Sequence, residues 1–158
     1  MKNRKSILFC ILTAAVVFAG SAYTMIRQYG NSVLSNFTQP KAIPSSRGWF
    51  VIWAFLVFLW TLGSIPVFAS KLSLRRKRNI FLNVIVLALL FFIWNYQFLI
   101  KANFTGAIAI SIADLLLAVV VWLMYLVTDK IGGYLFTPTV VWSAFMIYLS
   151  VSAFVLNK

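Results

Sequence analysis

Apolar runs of about twenty residues, separated by short basic segments, leave this chain few choices of fold. Five such runs can be drawn, roughly 6–26, 48–70, 79–100, 107–128 and 134–156. A helix of that length rises about 30 Å, the thickness of a bilayer's hydrocarbon core. The connections are short except for the first, 27–47, and no internal repeat is visible. The expected architecture is therefore all-α: a polytopic membrane protein, one bundle of five transmembrane helices forming a single domain over 1–158.

Composition excludes the soluble alternative. Of the 158 residues 63% are hydrophobic and only 10% charged, and the mean hydropathy is +0.96. That leaves too few polar side chains to cover a water-facing surface. The net charge of +12 comes from 14 Lys and Arg against two acids, Asp114 and Asp129. These cations lie between the apolar runs, so they read as loops held at anionic lipid headgroups, with the bilayer and not nucleic acid as the partner. Histidine and glutamate are absent and Cys10 is the only cysteine. Disulfides, thiolate or histidine metal sites and Ser-His-Asp chemistry are thereby removed, and no metal or obligatory cofactor is expected.

The first run follows Lys2, Arg4 and Lys5 and ends near Ala19-Gly20-Ser21-Ala22, a pattern shared with secretory signal peptides. Its length of about twenty residues favours a retained helix, and bulky Phe9 before Cys10 argues against a lipoprotein signal. Nine of the Lys and Arg fall on the side of the N-terminus, the Lys71–Arg78 segment and Lys130, and five on the other. The positive-inside rule then places the N-terminus and the Arg75–Arg78 loop in the cytoplasm, with the Pro40–Pro44 loop outside.

Two stretches carry candidate chemistry. In the first loop Pro40 and Pro44 hold the chain extended or turned, and Trp49, Trp53 and Trp60 follow on the second run. Trp49 and Trp53 share one helix face. Trp49 suits an anchor at headgroup level; Trp53, about 6 Å deeper, faces either lipid or an interior pocket roofed by the loop. Asp114 sits in mid-helix, where a carboxyl costs on the order of 2.5–3.5 kcal/mol to insert. It should face the bundle, neutral or hydrogen-bonded to a partner such as Asn95 or Ser111, as interhelical glue or as a polar group of a cavity. The sterol-type patterns Val17…Tyr23…Arg27 and Leu123…Tyr125…Lys130 fit a very permissive motif. Small residues Gly20, Ser21 and Ala22, or Ser143 and Ala144, allow close helix approach, within the bundle or in a homodimer.

These residues resemble the TspO/MBR family, the tryptophan-rich sensory proteins related to the mitochondrial translocator protein (peripheral benzodiazepine receptor). Pro40, Pro44 and Trp53 reproduce the spacing of the family's first loop and second helix. Pro138-Thr-Val-Val-Trp142-Ser-Ala-Phe145-Met-Ile-Tyr-Leu149 follows the pattern of its last helix. Trp94-Asn95-Tyr-Gln97-Phe98 resembles its third helix, with Leu82-Asn83 as an alternative register. The chain departs from the family at Ala42 (Trp), Ser45 (Pro), Thr139 (Tyr) and Met146 (a small residue).

The resemblance implies an integral membrane receptor-like protein, in a bacterial cell membrane, that binds a flat apolar ligand of the porphyrin or tetrapyrrole class. Pro44, Trp53, Asn95, Asp114, Trp142 and Phe145 are the implied ligand-binding residues. Trp and Phe faces stack on a porphyrin ring, and Arg27, Lys41 or Arg47 near the mouth pair with its propionates. Two alternatives stay open: a membrane enzyme degrading porphyrin in light, and a small transporter or accessory subunit. Trp53 and Trp142 are expected to face one cavity between the second and fifth helices, closed by the Pro40–Pro44 loop, with polar contacts from Asn95 and Asp114. Counting along the axes separates the two indoles by about 11 Å, so a porphyrin-sized plane should touch both and a compact ligand should not.

Overall fold

The computed structural model describes Gly20 and residues 37–158, excluding the side chains of Ser46 and Arg47. Within that range lie four long helices: α1 (Ser46–Ala69), α2 (Leu74–Asn95), α3 (Phe104–Thr128) and α4 (Lys130–Leu156). They are the second to fifth expected spans, and each is long and apolar enough to cross a membrane. No strand occurs among the described residues. The protein is an integral, multi-pass membrane protein. The expected first span lies outside the described residues except for Gly20, which rests against the Phe92 ring of α2. The reading of that span as retained helix or signal, the Val17…Tyr23…Arg27 pattern and the Arg27 contact lie outside them too.

The helices start earlier than hydropathy marks. Ser45, Ser73, Asn103 and Asp129 cap them, each side chain accepting a bond from a first-turn backbone N–H: Gly48, Arg76, Gly106 and Gly132. Arg75–Arg78 therefore form the first turns of α2 and are not a loop. Gly132 and Gly133, expected in a connection, lie inside α4. Hydropathy reports where the bilayer core ends, whereas a helix ends where its free N–H groups are capped, and here it overshoots the core. Pro138 is consequently the ninth residue of α4, deeper than expected.

Gly132 has a packing reason. A Cβ there would meet the Gly63 carbonyl at 2.7 Å, and one at Gly63 would meet the Gly132 carbonyl at 2.9 Å. The two glycines let α1 and α4 cross backbone to backbone, which no side chain larger than hydrogen permits. α3 packs along α4, α2 against α3, and α1 against α4. On the remaining side α1 and α2 meet largely through rings: Trp49 with Trp94 at 6.1 Å, and Trp53 edge-on to Phe91.

At the loop end α2 runs on into a π-helical turn, Tyr96–Ile100. The wider turn keeps Phe98 and Leu99 pointing inward, and Phe98 stacks on Trp94 at 4.9 Å and 12°. Phe37 of the first loop packs edge-on against Phe98 and Phe104. The same loop is tied to the end of α4: Thr38 N–H donates to Asn157 Oδ1 at 2.7 Å, and Asn157 Nδ2 donates back to the Thr38 carbonyl at 2.9 Å.

Inside, the apolar residues form two cores. One, at the loop end, holds Trp49, Trp53, Phe91, Trp94, Phe98, Trp142 and Met146. The other, toward the Arg75–Arg78 end, holds Val67, Val84, Leu87, Val121, Tyr125 and Phe136. The outer face is also apolar, with Phe55, Phe58, Leu89 and Leu116 more than half exposed. On a soluble domain that surface would aggregate; in a bilayer it is the lipid-facing side.

Candidate ligand-binding site

The junction of the two cores is where packing is incomplete. Trp53, Leu56, Val57 and Trp60 of α1, Leu87, Ala88 and Phe91 of α2, Asp114 of α3, and Thr139, Trp142 and Ser143 of α4 line one small, partly open cavity of about 30 Å³. That is room for one or two waters. Its walls carry the rings of Trp53, Trp60, Phe91 and Trp142, and its single carboxyl comes from α3.

Polar bonding in the cavity is unfinished. Ser143 Oγ donates to Asp114 Oδ2 at 2.7 Å and has a second acceptor in the Thr139 carbonyl at 3.1 Å. Asp114 Oδ1, Trp142 Nε1 and Trp60 Nε1 are buried and have no hydrogen-bond partner among the described residues. All three belong to residues of this one cavity. Two indole donors and a carboxyl oxygen without partners are costly in an apolar interior. They suit an occupant that accepts from the indoles and bonds to the carboxyl.

Beside the cavity, on the lipid side of α1 and α4, an apolar groove of about 660 Å³ is lined by Pro44, Ile52, Leu56, Pro138, Trp142 and Phe145 among others. Trp142 and Leu56 line both spaces and so form the wall between them. Trp142 is held by rings on both sides, Trp49 at 5.3 Å and Phe145 at 5.3 Å.

Measured against the sequence reading, Trp53, Asp114 and Trp142 come together in the cavity, and Pro44 and Phe145 lie with Trp142 in the groove. Asn95 is not part of either. Its Nδ2 donates to the Phe91 carbonyl one turn back, at 3.0 Å, so it stays on its own helix. The partner of Asp114 is Ser143, whereas Ser111 donates to the Ile108 carbonyl. Among the described residues the loop touches the groove through Pro44, and none of its residues lines the small cavity. Trp53 and Trp142 both line one space of water size.

Trp49 is not an interfacial anchor: it is 2% exposed and packs on Trp94 and Trp142. The sequence reading named Trp60 but gave it no place in the site, although its spacing of seven from Trp53 already put both on one face. Thr139 stood out in the sequence only as a departure from the family's Tyr, not as a cavity residue. Ser143 was read only as a small packing residue; it turns into the bundle, while Ala144 beside it is exposed. Tyr125 is fully buried and bonded to Ser64 at 2.8 Å, so Leu123…Tyr125…Lys130 offers no continuous lipid-facing surface. Among the described residues no group of His, Cys, Asp or Glu could hold a metal ion. A sequence model described as the TspO/MBR family matches residues 7–156. No curated protein matches the chain.

Proposed function

The chain belongs to the TspO/MBR family, and we propose that this receptor-like membrane protein binds a flat apolar ligand of the tetrapyrrole class between α1 and α4. The observation that carries the reading is the shared wall. A small cavity of about 30 Å³ and a groove of about 660 Å³ share Trp142 and Leu56 as lining. Turning the Trp142 ring joins them into a space within the range of small-molecule sites, about 300–1,000 Å³. A macrocycle entering from the lipid side lies on Phe145, Pro138 and the turned Trp142, gaining burial and offset stacking. Its leading edge reaches Trp53 and the unpartnered atoms of Asp114, Trp60 and Trp142. Lys41, exposed in the loop three residues before Pro44, supplies a cation for acidic substituents at the mouth.

Titration of the purified protein with protoporphyrin in the dark tests this. Saturable quenching of Trp fluorescence is expected, weakened by Trp142→Phe and Trp53→Phe. Unchanged binding in both variants would mean these rings only pack the core. Repeating the titration in light adds a readout for chemistry, loss of the porphyrin Soret band only on illumination.

A further inference from the structure

A second groove, of about 500 Å³, opens at the opposite end of the bundle between the start of α2 and the last half of α3. Its polar and apolar residues are sorted by depth. Arg76 and Asn79, in the first turns of α2, and Thr128, the last residue of α3, stand at the mouth. Val120, Leu123 and Val127 continue inward at helical spacing on one face of α3, and Val120 lies about 12 Å below Thr128 at 1.5 Å per residue. These three are 43%, 49% and 88% exposed, so no described part of the protein fills the groove.

The charge around the mouth points to an anion. Lys71, Arg75, Arg76, Lys77 and Arg78 cluster here, and Lys77 alone turns inward, donating to the Phe68 carbonyl at 2.7 Å. The chain has only two acids. Asp114 lies in mid-bundle, bonded to Ser143. Asp129 uses Oδ1 to cap α4 at the Gly132 N–H. The protein therefore lacks the carboxylates to balance this cluster. The first turn of α2 also carries Arg75, Arg76 and Lys77 with no acid, the wrong sign for a helix N-terminus.

We propose that this groove is a specific site for one anionic phospholipid, with the phosphate at Arg76 and Asn79 and one acyl chain laid along Val127, Leu123 and Val120. A basic mouth between transmembrane helices is the arrangement that recognises acidic lipid headgroups, and the apolar floor adds the chain's burial. The site shares no residue with the α1–α4 pocket.

Native mass spectrometry of the full chain, in detergent with phosphatidylglycerol and phosphatidylcholine of identical acyl chains, tests it. One phosphatidylglycerol should be retained in preference to phosphatidylcholine. Arg76→Gln should weaken retention about fivefold, the size expected for one cation lost beside an anionic lipid. Arg75→Gln, which lies outside the groove lining, should leave it within about twofold, since one exposed charge more or less in the cluster is screened. Leu123→Trp should fill the floor and displace the lipid without lowering thermal stability, because Leu123 is an exposed position. Equal retention of the two lipids would overturn the proposal, as would equal effects of Arg75→Gln and Arg76→Gln, which would indicate surface charge alone. Complete competition by glycerophosphoglycerol, a headgroup without chains, would remove the groove from the account. Release of a second copy of the chain by Leu123→Trp, with no lipid released, would make the groove a dimer interface.

Discussion

Removing the hydroxyl of Ser143 should harm this protein more than removing the carboxyl that it serves. Asp114 is 1% exposed, its Oδ1 has no partner, and its Oδ2 has the 2.7 Å bond from Ser143. Ser143→Ala leaves the carboxyl without that bond, and an unsatisfied buried polar group costs about 1–3 kcal/mol. Asp114→Leu instead removes the polar group. Ser143 then keeps its bond to the Thr139 carbonyl at 3.1 Å, and the larger side chain grows into a cavity of about 30 Å³. With Ser143 still bonded, no buried polar group is left unsatisfied by the change, so the desolvation cost does not arise. For a chain of this length each kcal/mol moves Tm by about 2–4 °C. In detergent, followed by circular dichroism, Ser143→Ala should lower Tm by about 2–12 °C, while Asp114→Leu should match or exceed the parent. In the Asp114→Leu background Ser143→Ala should have little effect, a coupling that a double-mutant cycle reads directly. The reasoning fails if Asp114→Leu loses as much stability as Ser143→Ala. The carboxyl would then be glue between α3 and α4 and not a polar group kept for an occupant of the cavity.

Gly132→Ala and Gly63→Ala should each destabilise by about 1–3 kcal/mol through overpacking, since each Cβ meets a backbone carbonyl at 2.7–2.9 Å; Gly48→Ala, with its nearest neighbours at 3.2 and 3.4 Å, should cost less in the same Tm assay. Ala102 holds φ at +49° in the turn between α2 and α3, so Ala102→Gly should raise stability by about 1 kcal/mol, checked by the same melt. Asn157→Ala removes both bonds to Thr38 and should speed proteolytic cleavage in the 37–45 loop, with little change at the opposite end of the bundle. Trp94→Phe loses the 2.9 Å bond to Ser150 and should lower Tm without affecting porphyrin quenching, the reverse of the pattern for Trp142→Phe. A cysteine placed at Ser45 should label from outside intact cells and one at Ser73 should not; the opposite result would invert the orientation drawn from the Lys and Arg count.

Much of this protein can be read from its residue order, because a bilayer demands a nearly binary pattern. Runs of twenty apolar residues bounded by Lys and Arg read as spanning helices, and four of them are long and apolar enough to cross a membrane. Proline and tryptophan at the spacings of Pro44, Trp53, Pro138 and Trp142 carry the family. That Trp53 and Trp142 line one space between α1 and α4 was therefore legible before any coordinates. What the pattern does not contain is which way a side chain turns on a helix that is apolar all round. With lipid outside as apolar as the core inside, hydropathy cannot tell Trp49, buried against Trp142, from an interfacial anchor. It cannot tell Asn95, bonded to its own helix, from a pocket amide. Helix ends were misplaced for a related reason, since Ser73 and Asp129 start their helices in the polar zone, where apolar runs have already stopped. Only the tertiary structure paired Asp114 with Ser143 and brought three unpartnered polar atoms to one cavity. Those facts depend on the α1–α4 crossing at Gly63 and Gly132, a distance between helices that no local pattern encodes.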